Sequence, residues 1–166
     1  MSVLPIVLWP DSGLQVSCAS VGEGDVADLV RDMFDTMYAA PGRGLAAPQV
    51  GVSRRVFVMD STWKDGARSP IACIDPVIVS ASDEVCEIEE GCLSIPSILV
   101  PVVRPVSVVL AYRGLDGTAY REDLTGAAAR IAQHELDHLD GMVHFDRVAG
   151  ALRAGLEADY MKTVAA

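Results

Sequence analysis

Apolar residues recur at helical spacing along residues 24–39, where Val26, Leu29, Val30, Met33, Phe34 and Met37 share one face. Asp25 is placed to cap the first turn, and Pro41-Gly42 ends the helix. The stretch from Arg43 to Gly51 carries too many glycines and prolines for a regular element and reads as a shaped loop. The rhythm then becomes that of strands. Arg55 to Asp60 is a short β-rich run, and Ser61 to Ser69 is a polar loop. Ile71 to Val79, interrupted by Pro76, and Val85 to Ile88 read as strands. Val106 to Tyr112 is an almost continuous apolar strand, and the Gly114–Gly117 turn returns Thr118 to Leu124 as its hairpin partner. Helical spacing resumes over Gly126 to Leu139, with Gly141 as the residue past its end, and again over an amphipathic Arg147 to Met161. Strands first and a helix late, without βαβ alternation, predict the α+β class: small antiparallel or mixed sheets around a central helix, with one helix near each terminus. No repeat or linker divides the 166 residues, so one domain spanning 1–166 is expected.

Composition narrows the picture. With 51% apolar residues the chain can build a proper core. No stretch approaches the roughly 18 apolar residues of a membrane helix, so no membrane partner is expected. The N-terminal MSVLPIVLWP lacks a basic region and is broken by Pro5 and Pro10, so it reads as mature protein rather than a leader. A net charge of −10 argues against a nucleic-acid partner. The adjacent Arg54 and Arg55 read as a solvated strand edge. The cysteines are Cys18, Cys73, Cys86 and Cys92. In a core-forming chain without an export signal they are expected reduced, in the cytoplasm. Cys73 and Cys86 fall where strands should face the core.

The chemistry concentrates on the central helix. Residues 134–138 read His-Glu-Leu-Asp-His. Positions i and i+4 lie one turn apart on one face, so His134 and His138 can bind one metal ion with Glu135 as a base beside it. A catalytic site of this type needs a third protein ligand. His144 follows six residues on, but a lone histidine past a helix end reads first as a surface or structural residue. Acidic side chains are abundant enough that a carboxylate stays open. Cys92, in Glu90-Gly91-Cys92-Leu93-Ser94, is the better candidate, because thiolate is a strong ligand and glycine before it admits close backbone approach.

Three motifs in order, GRGLAAPQVG (42–51), EGCLS (90–94) and QHELDHLDG (133–141), resemble those of peptide deformylases. The resemblance implies that Cys92, His134 and His138 hold one divalent ion, Fe2+ in the cell and Zn2+ or Ni2+ in purified protein. It implies Glu135 as general acid/base, and the Gln49 side-chain amide and the Leu93 N–H as oxyanion donors. Gly44 and Gly91 would bind the substrate through backbone groups. The implied substrates are N-formylmethionyl peptides and nascent chains.

These roles fit elementary chemistry. Formamide hydrolysis needs an activated water, a proton shuttle and fixed donors at the developing oxyanion. The 42–51 segment can bond an extended peptide as an added strand. Ala127, Arg130 and Ile131 lie on the helix one and two turns before His134, where they would wall a side-chain pocket. The chain departs from the family pattern at Arg43 and Ala127-Ala128, where aliphatic and larger residues are common, and in the uncharged Ser97–Pro101. These departures bear on substrate preference. Two rival readings are an H-E-x-x-H metallopeptidase, with His144 or Glu157 as third ligand, and a non-catalytic metal-site relative. Cys92 separates the first from a deformylase, and Glu135 and Gln49 argue against the second.

Overall fold

The computed structural model describes residues 2–165. Helix α1 spans Ala27–Ala39. Seven strands follow: β1 Gly44–Ala46, β2 Val56–Met59, β3 Ile71–Ala81, β4 Val85–Cys92, β5 Ile95–Pro105, β6 Ser107–Arg113 and β7 Ala119–Thr125. Helix α2 is Gly126–Leu139 and α3 is Gly150–Ala165. Strands β1-β2-β3-β6-β7 form one antiparallel sheet, and β4-β5 form a separate hairpin. The α+β architecture around α2 is the one expected.

Helix α2 explains the arrangement. Ala129 and Ala132 are fully buried against the large sheet, beside Phe57, Leu110 and Leu124. Small residues here let the helix lie close to the strands. Helix α1 covers a second core through Val30, Met33 and Met37, which meet Leu45, Val56 and Val58. A third cluster lies under β5, where Val100 and Val102 pack with Phe145 and Tyr160.

Several boundaries differ from expectation. Helix α1 begins at Ala27 with Val26 at the cap position, one residue later than a cap at Asp25 would set it, although the Asp25 carboxylate does accept the Ala27 N–H at 2.9 Å. The expected loop 43–51 is instead an edge strand, β1, followed by a 3-10 turn at Ala47–Val50. Pro76 does interrupt β3: Asp75 takes φ 49°, and the register with β6 shifts between Ile74 and Val77. Strand β4 extends to Cys92, and β5 forms over a proline-punctuated stretch without a strand pattern. Helix α3 starts three residues after Arg147, and among its residues only Tyr160 is fully buried, so its amphipathic face is narrow.

Candidate metal centre and peptide groove

Two elements build the site. On α2, His134 and His138 lie one turn apart, their ring centroids 5.1 Å from each other. On β4, alternation sends Glu90 and Cys92 inward while Glu89 and Gly91 stay exposed. The hairpin packs against α2 and brings Cys92 Sγ to 3.4 Å from His138 Nε2. Ligand atoms of Cys92, His134 and His138 all lie within 4.8 Å of one another, and all three residues are buried. One sulfur and two imidazole nitrogens at this spacing match a divalent transition-metal ion rather than calcium or magnesium. The remaining nitrogen of His138, Nδ1, has no hydrogen-bond partner among the described residues. Burial holds the His138 pKa well below the usual histidine range, which keeps the ring in the neutral form a ligand needs.

Glu135 is buried, and its Oε1 has no partner. Burial pushes its pKa up to about 7, against the opposing pull of His134. Its Oε2 faces the start of β1: a Cβ on Gly44 would stand 2.7 Å from it and 2.8 Å from Ile131 Cγ2. Only glycine therefore lets β1 pass so close to the base. Gln49 is buried in the 3-10 turn after β1. Its Oε1 accepts the Ala46 N–H at 2.9 Å, which fixes the amide so that Nε2 points to Ser94 Oγ at 3.0 Å and Cys92 Sγ at 3.8 Å.

A groove of about 970 Å³ runs beside this cluster. Among the described residues β1 pairs only with β2, and β4 only with β5, so Gly44 and Gly91 both offer backbone edges to it. Arg43, Leu93, Ala127, Arg130 and Ile131 line it, together with His134 and Glu135. The structure thus brings every expected site residue to one place.

Residues outside this cluster divide between expected and unexpected positions. His144 is buried, its ring 5.9 Å from that of His134, and it is not among the clustered metal-ligand atoms. Of the two readings expected for it, surface or structural, the buried structural one holds: it opens the 3-10 turn His144–Arg147, whose Phe145 packs with β5. Cys73 faces the core as expected, but Cys86 lines the groove, 3.7 Å from Arg130 Nη2. All four cysteines are free. Arg55 is not a solvated edge residue: it donates to Leu139 O and pairs with Asp140, holding the end of α2.

Sequence reasoning missed the support beneath the metal centre. Glu90 accepts from Arg104 Nε at 2.6 Å and Nη2 at 3.0 Å, and from Arg130 Nη1 at 2.6 Å. Arg104 also donates to Asp137 at 3.0 Å, and Arg147 pairs with Asp137 from the other side. Burial alone would raise the Glu90 pKa, but His134 and Arg104 hold it well below the usual carboxylate range. The available signal was Arg104 itself, a charge at an inward position of β5 after Ile98, Val100 and Val102.

This fold and cluster define a metal-dependent hydrolase of the H-E-x-x-H helix type, with cysteine as the third ligand candidate. Residues 3–153 match the family model described as polypeptide deformylase. Peptide deformylase 2 of Gloeobacter violaceus is 48% identical over 75% of this chain and 66% of its own length. A peptide deformylase of Rhodopseudomonas palustris is 42% identical over 93% of this chain and 90% of its own. The crystal structure of peptide deformylase from Ehrlichia chaffeensis in complex with actinonin superposes with a TM-score of 0.91 at 36% identity, covering 98% of each chain. The chain belongs to the peptide deformylase family, metal-dependent hydrolases that remove the N-formyl group from nascent peptides.

Proposed function

We propose that this chain removes the formyl group from formylmethionyl peptides with Cys92, His134 and His138 as metal ligands, in the cytoplasm, on nascent chains. The observation that carries the reading is the approach of a thiol to two imidazoles beside a buried carboxyl whose pKa is pushed up to about 7. A divalent ion held there, Fe2+ in the cell on this reading, supplies Lewis acidity that makes a water acidic enough to attack near neutral pH. Glu135 takes the proton of the attacking water and passes it to the departing amine nitrogen. The water oxygen bonds to the formyl carbon, the C–N bond breaks, and formate and a free amino terminus result. Gln49 Nε2 and the Leu93 N–H donate to the formyl oxygen as charge develops on it, each worth about 3 kcal/mol in comparable sites.

The peptide lies between the free edges of β1 and β4, bonded through Gly44 and Gly91. The first side chain enters the pocket beside Ala127 and Ile131. Arg130 reaches across the floor of that pocket to Cys86 O at 2.9 Å and Val102 O at 3.0 Å, tying α2 to the hairpin. The low exposure of the site favours chemistry shielded from bulk water. The test is formate release from formyl-Met peptides by Fe2+-loaded protein prepared without oxygen. Turnover that also requires Glu135 supports the reading, and no release from any formyl peptide overturns it.

A further inference from the structure

We propose that Arg43, with Lys64 behind it, selects formyl-peptides bearing a carboxylate side chain at the second or third position. The inference rests on the deformylase reading and names a substrate preference for the same groove.

Arg43 immediately precedes β1, and its carbonyl accepts the Asp60 N–H at 2.8 Å, which fixes the backbone next to β2. Its side chain lines the groove, and its Nε is buried without a hydrogen-bond partner among the described residues. Lys64 lines the same rim and, among the described residues, donates only to Pro41 O, at 3.1 Å. Neither cation enters an ion pair among the described residues. In a chain of net charge −10, carboxylates are plentiful, and Glu89 and Glu135 line the same groove, yet neither cation pairs with a carboxylate among the described residues. A half-buried guanidinium without a counterion gains from an anion brought by the ligand to its exposed end.

The position along the substrate follows from the site. The formyl group lies at the Gln49 and Cys92 end, and Gly44 is level with Glu135. A peptide extended along β1, away from Gln49, advances about 3.3 Å per residue and passes Gly44 before Arg43. Its first side chain is taken up beside α2, so the second or third reaches Arg43. The opposite wall carries Glu89, exposed on β4, which repels a carboxylate and favours the Arg43 side.

The experiment compares kcat/KM for formyl-Met-Glu-Ser and formyl-Met-Ser-Glu with their glutamine counterparts, at low and high ionic strength. The expected result is a preference of about three- to tenfold for at least one acidic peptide. It should reside in KM, because the contact is remote from the reacting bond, and shrink with added salt. Arg43→Gln should bring the paired substrates within about twofold of each other, and Arg43→Lys should keep part of the preference. Equal hydrolysis of acidic and amide peptides by the wild type overturns the inference alone. So does a preference that persists in both Arg43→Gln and the Arg43→Gln/Lys64→Gln double variant. Absence of hydrolysis for every peptide overturns the deformylase reading, and the inference with it.

Discussion

Glu90 Oε1 lies 2.9 Å from Nδ1 of His134, so Nδ1–H donates to the carboxylate and Nε2 is left as the ring's ligand atom. Arg104 and Arg130 hold that carboxylate in place from two sides. The orientation of one metal ligand is therefore set by a residue on β4 and two arginines from β5 and α2.

Glu90→Gln should lower metal affinity about 10- to 100-fold, measured by competition with a chelator. The same change leaves Arg130 without its counterion and Arg104 with Asp137 alone. Loss of a buried partner costs roughly 3–5 kcal/mol, so the urea midpoint of the variant should fall well below that of the wild type. Unchanged metal affinity would mean that His134 needs no orienting partner.

Glu135→Gln should keep the metal and lose about 10² to 10⁴ in turnover, because an amide cannot carry the proton. Metal content and kcat measured on one preparation check both halves. Turnover within about twofold of wild type would remove Glu135 from the role of base.

Tyr38 donates to Asp60 Oδ2 at 2.6 Å, and burial, then the Asp60 carboxylate, pushes the Tyr38 pKa up to about 12 from an ordinary 10. Asp60 in turn accepts the N–H groups of Thr62, Trp63 and Ser69, fixing the loop whose Trp63 Nε1 donates to Gly42 O. A raised phenol pKa means that the folded state favours the protonated form. The stabilisation is complete below pH 10 and is lost as pH rises from 10 toward 12. The stability gap between wild type and Tyr38→Phe, from denaturant titrations, should accordingly be constant from neutral pH to about 9 and shrink above 10. A gap that stays constant to pH 12 would contradict the pairing.

Local pattern made some of this legible and long-range pairing hid the rest. The rhythm of Gly126–Leu139 and the His134–His138 spacing lie within one helix, so α2 and the histidine pair could be read directly. Strand β5 escaped notice because Pro96, Pro101 and Pro105 punctuate its 11 residues and suggest a loop. Strand β1 has only three residues, and its pairing of Leu45 with Val58 is what makes it a strand. The Glu90–Arg104 pair depends on the β4-β5 register, in which Cys86 stands opposite Arg104. No spacing rule announces that two residues 14 apart will meet beneath a histidine. Strand alternation sends Cys86 inward toward Arg130 of α2, but the groove reaches that far and leaves it half-buried.

The most direct test of the whole account is the metal content of Cys92→Ala against wild type. Both proteins are loaded with one divalent ion under anaerobic conditions and freed of excess by gel filtration. If Cys92, His134 and His138 share the ion, the wild type should retain about one equivalent per chain, as a three-ligand site does. Cys92→Ala should lose most of its metal while its circular dichroism spectrum stays native. Full occupancy in a folded Cys92→Ala would contradict the assignment of the thiolate and return the third ligand to a histidine or carboxylate.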